Sequence, residues 1–180
     1  MNNQATSRQG EKSLLTGMFR DRESTEGAYQ SLRDRGYSDD DINVLMSDET
    51  RDKYYSDGDS ALEGNKALEG TGAGAAIGGT LGAIIGGIAA IGTNVILPGL
   101  GLVVAGPIAA ALAGAGAGGL TGGLVGALIG WGIPEDRAVA YESGIREGGT
   151  VLGVTPRSDE DADYFENEWR TNYRGENVYR

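Results

Sequence analysis

Residues 70–134 carry no charged side chain: 65 consecutive positions, of which 21 are glycine and most of the rest Ala, Ile, Leu or Val. Whatever the chain folds into must give this stretch an apolar partner, whether lipid, a second copy or the chain itself. The glycines in it are regularly spaced. Gly74, Gly78, Gly82 and Gly86 recur every four residues, and Ala90 continues the row. Gly114, Gly118, Gly122, Gly126 and Gly130 form a second row, preceded by Ala110. On a helix, positions four apart share a face, so each row predicts a ridge without side chains. Ile77, Leu81, Ile84, Ile85 and Ile88 project elsewhere on the first helix, and Leu120, Leu124, Val125, Leu128 and Ile129 on the second. Ridges of this kind let helix backbones approach closely, as in small-xxx-small packing inside membranes. The nine glycines of the two rows are the candidate helix-packing interface.

Each interior glycine costs a helix about 1 kcal/mol relative to alanine. Such helices therefore need enforcement, either by lipid, where unbonded backbone has no water to turn to, or by a packed multimer. Residues 74–92 would span roughly 28 Å as a helix at about 1.5 Å per residue, against a hydrocarbon core of about 30 Å. Residues 108–132 are long enough to cross with tilt. Between them, Pro98 and Pro107 predict a bend or a short third helical segment over residues 93–107. The expectation is a glycine-zipper helical hairpin over 70–133 that crosses a membrane twice and oligomerises, keeping both flanks on the cytoplasmic side. The alternative is a soluble cytoplasmic protein whose hairpins pack into a multimeric ring, shell or filament.

Charge and composition narrow the chemistry. The formal net charge is −11, with 9 basic and 15 acidic residues through position 69 and 6 and 11 from position 135. Both flanks repel phosphate, which argues against nucleic acid, and gain nothing from anionic headgroups. Membrane lipid is then a partner only by hydrophobic contact. The chain has no Cys and no His, so it lacks thiolate nucleophiles, zinc–thiolate sites and the commonest general base. Gly-x-Gly occurs at Gly72/Gly74, Gly99/Gly101 and Gly116/Gly118, without the strand context, the following acid or the Gly-Lys-Ser/Thr that nucleotide loops need. The acid runs Asp39, Asp40, Asp41 and Asp159, Glu160, Asp161, Asp163 read as helix caps; a weak calcium site is the sharper alternative. Asp57 and Asp59 lack the rest of an EF-hand loop. No catalytic, cofactor-binding or metal-binding residues are predicted, no small-molecule substrate is identified, and the chain reads as non-enzymatic.

The flanks carry their own apolar patterns. Residues 1–12 read as a disordered tail, polar and without the apolar core of a signal peptide. Residues 13–47 read as strand, helix, strand. The helix is capped by Asp21 or Ser24, buries Ala28, Tyr29 and Leu32, and stops at Gly36. Residues 48–69 read as a polar linker, with Tyr54 and Tyr55 as linker contacts. Over 134–180, Pro134 opens a helix with the stripe Ala138, Tyr141, Ile145, ended by Gly148 and Gly149. A strand at 150–155 follows, then a helix capped by Ser158 with Phe165, Trp169 and Tyr173 on its apolar side, then an edge strand at 176–179. Without the insertion the order is β-α-β, β-α-β. That predicts an α+β fold, a ferredoxin-like split βαβ domain with the glycine hairpin inserted between its halves, able to fold without it.

The pieces TGMF and LRDRGYSDDDINVLM, then ILPGLGLVVAGPIAAALAG, then GIPEDRAVAYESGIREGGTVLGV occur in this order. In order and composition the chain resembles bacterial general stress proteins of the heat-induced YflT type (general stress protein 17M-like), in particular their glycine-zipper members, some of which are labelled low-temperature-induced proteins. The resemblance covers most of residues 13–155. It implies a bacterial stress-response protein and carries no reaction or catalytic residues with it.

Overall fold

Strands covered by apolar layers on both sides lose the alternation of a half-exposed sheet and become continuous buried runs. Among the described residues four strands are of that kind. The computed structural model describes residues 14–55, 95–97, 101–109 and 123–180. In chain order its elements are β1 (Leu15–Phe19), α1 (Arg22–Asp34), β2 (Ile42–Ser47), α2 (Asp48–Tyr55), β3 (Val95–Leu97), β4 (Leu102–Ala105), α3 (Gly123–Gly130), α4 (Glu135–Arg146), β5 (Thr150–Val154), α5 (Asp159–Thr171) and β6 (Glu176–Tyr179). The fold is α+β, with a sheet in the order β3-β4-β2-β5-β1-β6 whose neighbours all pair antiparallel.

The first face of the sheet presents Leu15 and Phe19 of β1, Ile42, Val44 and Met46 of β2, and Leu152 and Val154 of β5. They meet Ala28, Tyr29 and Leu32 of α1 and Phe165 and Trp169 of α5. Phe19 stands edge-on to Trp169, with ring centroids 5.5 Å apart, a favoured aromatic geometry. Asp21 caps α1 by accepting from the Ser24 backbone N–H at 2.8 Å, and Ser158 caps α5 by accepting from that of Asp161 at 3.1 Å. These caps, the stripes of α1 and α4, Phe165 and Trp169 of α5, and the strands at both ends lie where the sequence pattern puts them, whereas Tyr173 lies beyond the end of α5 at Thr171.

The second face departs from expectation. Met18, Leu45 and Val151 point away from α1 and α5 into another apolar layer. It is built from Leu102 and Val104 of β4, Leu124, Ala127 and Leu128 of α3, and Ala138, Tyr141 and Ile145 of α4. Tyr141 is buried there, its hydroxyl donating to the Asn177 carbonyl at 2.6 Å and lying 2.8 Å from Thr16 Oγ1. Burial pushes this hydroxyl up to about 12.

Three expectations are corrected. Residues 95–97 and 102–105 are strands, not a bend or a short third helical segment: β3 and β4 form a hairpin that extends the sheet beyond β2. The run Leu-Val-Val-Ala between glycines has the β-branched character that a sheet favours. Residues 108–132 are not one continuous helix, because Gly123 is left-handed at φ +64 and α3 starts there. The polar linker begins with a helix instead. Ser47 Oγ accepts from the Thr50 backbone N–H at 3.0 Å at its start, and Tyr55 at its end is 6 % exposed in the first core. Among the described residues no helix is long and apolar enough to cross a membrane.

The second layer predicts that the flanks do not fold by themselves. Joining Ser47 to Thr150 by a short flexible linker would remove α2, with Tyr55 from the first core, as well as β3, β4, α3 and α4, and would open Met18, Leu45 and Val151 to water. The expected result is a species that binds hydrophobic dyes and melts without a cooperative transition in calorimetry. A sharp transition near the full-length melting temperature would show that the second layer is dispensable.

Candidate assembly surface

Helix α3 is docked on one side and open on the other. Leu124, Ala127 and Leu128 are buried against the sheet and α4. Val125 and Gly126 are half-buried, Gly130 is exposed, and Ile129 is 43 % exposed. The pair Gly126/Gly130, with Val125/Ile129 beside it, thus forms the outward face of the helix. Among the described residues a Cβ placed on Gly130 would meet no atom within 4 Å, so their packing does not call for glycine there. Gly74, Gly78, Gly82, Gly86, Gly114, Gly118 and Gly122 lie outside the described residues, as do Asp57 and Asp59.

The uncharged segment is fixed to the sheet by a polar clamp that the sequence reading missed. Asn43 of β2 is buried on the second face, where its side chain donates to the Gly153 carbonyl at 3.2 Å and accepts from the Ile108 backbone N–H at 2.7 Å. The acceptor satisfies an amide at the start of the helical turn at residues 107–109, as an N-cap would. Gly106, before this turn, has φ +94, and a Cβ there would lie 2.1 Å from the Ile42 carbonyl oxygen. The chain bends sharply against β2 at a point where only glycine fits. The dipeptide Gly106-Pro107 was the available signal: glycine for the bend and proline to open the turn. Trp131, after α3, lies over Gly153 of β5, where a Cβ would be 2.5 Å from its ring.

The acidic runs are engaged in folding. Asp41 accepts from the Ser38 hydroxyl and backbone N–H at 2.7 and 2.8 Å. These bonds, with Arg157 nearby, hold its carboxyl below the usual range. For Asp161, burial pushes the carboxyl up. Hydrogen bonds from the Tyr37 hydroxyl at 2.7 Å and from Arg35 outweigh this and leave it below its ordinary value. Asp39 accepts from the Tyr29 hydroxyl at 2.5 Å and pairs with Arg33 at 3.1 Å. Among the described residues no cluster of carboxylates has the makings of a metal site.

Two surface hollows lie elsewhere on the described surface. One of about 550 Å³ lies between the start of α1 and the turn before β6, lined by Arg22, Glu26, Tyr173 and Arg174 among others; Arg22 is already paired with Glu26 at 2.6 Å. The other, about 250 Å³, includes Arg20, Lys53, Arg146 and Glu147. Arg20 is paired with both Glu147 and Glu176, and Arg146 with Glu142. Neither hollow concentrates unmatched charge of one sign. The outer face of α3 is therefore the candidate site. No family model, curated protein or solved structure matches the chain.

The carboxylates predict the acid limb of stability. A carboxyl with a folded pKa below its unfolded value stabilises the fold above that unfolded value, about 3.9 for Asp, and loses this contribution as pH falls through the folded value. Asp161→Asn should therefore weaken the protein at pH 7 by about 1–2 kcal/mol and flatten the loss of stability below about pH 4. Urea titrations at a series of pH values measure both; an unchanged acid limb would exclude Asp161 as a contributor.

Proposed function

We propose that this chain is a non-enzymatic protein that associates with membrane lipid and assembles with copies of itself through small-residue helix faces. The observation that carries the reading is the outward row Gly126/Gly130 on a helix whose other side is already docked. A lone helix in water gains from replacing such glycines by alanine, and a smooth apolar ridge suits close approach by another backbone. The charge pattern supports it further. Both acidic flanks repel a second copy, whereas the uncharged segment does not. The resemblance to general stress proteins of the 17M-like type adds a bacterial stress-response setting. A soluble ring, shell or filament is the second reading, favoured by the docking of α3 on a sheet rather than in lipid.

The same proposal extends to the fold. We read β1-α1-β2 and β5-α5-β6 as the halves of a ferredoxin-like split βαβ unit. The neighbour order β2-β5-β1-β6 and the packing of α1 and α5 on one face support it. The segment between the halves then supplies a covering layer and an edge hairpin.

Gly126→Leu and Gly130→Leu test the assembly. By propensity each should strengthen α3 by most of 1 kcal/mol, and at Gly130 nothing among the described residues opposes a side chain. At a contact between copies, overpacking typically costs about 1–3 kcal/mol per site. Each variant is expected to keep its helix content and give smaller particles in light scattering. Unchanged particle size in both would remove the row from the interface.

A further inference from the structure

Three helices share the first face of the sheet. α1 packs on β1 and β5, α5 on β1 and β6, and α2 on β2 and β4. α2 brings Tyr55 into the same core as Val44 and Met46 of β2 and Val103 of β4. Its hold is the weakest of the three. α1 buries Ala28, Tyr29 and Leu32, and α5 buries Ala162, Phe165 and Trp169. α2 buries Thr50 and Tyr55, and most of its other positions are charged.

Both ends of α2 also carry an unmet polar atom. Among the described residues, Asp48 Oδ1 and the Tyr55 hydroxyl are the two buried side-chain oxygens without a hydrogen bond. The Arg22 guanidinium lies over the Tyr55 ring, 5.6 Å from its centroid, and offers the hydroxyl no acceptor. The hydroxyl of Thr25, close by, is donated to the Asp21 carbonyl at 2.8 Å. Burial pushes the Tyr55 hydroxyl well up from its ordinary pKa, so it stays protonated. A buried polar group without a partner gives up hydration and receives nothing in exchange. Docking of α2 is therefore penalised at both of its ends, and undocking restores water to both atoms.

We propose that α2 is a releasable strap: it undocks as a unit while the sheet stays folded, and uncovers an apolar strip at the β4 end of the first face. The hinge lies just after the Asp48 backbone N–H, which donates to the Gly101 carbonyl at 2.9 Å and so continues the ladder between β2 and β4. A detached segment of eight residues is too short to hold a helix in water, so undocking and unwinding are one event. The strip adjoins the uncharged hairpin of β3 and β4. Release thus enlarges the apolar side of the domain.

Amide hydrogen exchange on the full-length chain tests the strap. Local opening exchanges faster than global unfolding and exposes less surface. The amides of Lys53, Tyr54 and Tyr55 are expected to exchange roughly tenfold or more faster than those of Val44, Leu45 and Val151, with a weaker dependence on added denaturant. Tyr55→Phe keeps the ring and removes the unmet hydroxyl, and should raise the protection of α2 about tenfold. Tyr55→Ala removes the anchor, and should strip α2 of protection while the amides of β2 and β5 remain protected. Exchange of α2 only together with the strands, at one rate and one denaturant dependence, would overturn the proposal. Loss of strand protection in Tyr55→Ala would do the same, because the sheet would then need α2. Protection that Tyr55→Phe leaves unchanged or lowers would also overturn it, by showing that the hydroxyl carries no penalty.

Discussion

The fold depends on the apolar layer over the second face of its sheet. Met18, Leu45 and Val151 would otherwise meet water, and each is at most 1 % exposed. Burying a side chain of this size is worth about 1.5–3 kcal/mol, a large part of the 5–15 kcal/mol by which domains are usually stable. That layer comes from β4, α3 and α4, so the uncharged segment is built into the domain at its base. Close contact reinforces it. A Cβ on Gly144 of α4 would lie 1.8 Å from Met18 Sδ, so α4 sits as near to β1 as a helix without a side chain at that point allows.

Much of the first layer was legible in the sequence, and the reason is local. Asp21 before α1, Ser158 before α5 and Gly148 after α4 are caps and stops whose meaning depends on a few neighbours. The stripes Ala28/Leu32 and Phe165/Trp169 repeat at helical spacing. The second layer was not legible in the same way. Leu102, Val103, Val104 and Ala105 stand inside a long apolar run where helix and strand look alike by periodicity. Only their β-branched content and the flanking glycines distinguish them. Asn43 was also hidden, because a lone polar residue in a strand reveals its purpose only when Ile108, 65 positions later, comes to meet it. For the candidate surface, spacing put Gly126 and Gly130 on one helix face, but which side of α3 that face occupies depends on the sheet beneath Leu124 and Leu128.

Separation of charge gives the domain its polarity. Ion pairs join the elements around the first layer: Arg35 of the α1 cap with Asp161 of α5, and Arg157 with Asp41. Arg20, after β1, bridges Glu147 and Glu176. The uncharged run includes β3, β4 and α3, on the β4 edge and second face of the sheet. Exposed pairs of this kind are individually worth about 0–1 kcal/mol, so they add little to stability. They do leave the acidic surface hydrated and direct apolar contact to the other side.

Glycine has two opposite uses in this chain, and the contrast bears on the surface of α3. At Gly106 and Gly144 a side chain would collide with the chain's own atoms, so the fold itself accounts for the residue. At Gly130 a side chain would enter open space, and alanine or leucine would make the better helix in water. Its left-handed neighbour Gly132, at φ +92, needs glycine to end the turn, but Gly130 has no such backbone requirement. Glycine at an exposed helical position without a packing or dihedral reason is destabilising in the isolated chain. The contact between copies proposed above would supply a reason, because a backbone pressed against this face would meet the collision that is absent among the described residues.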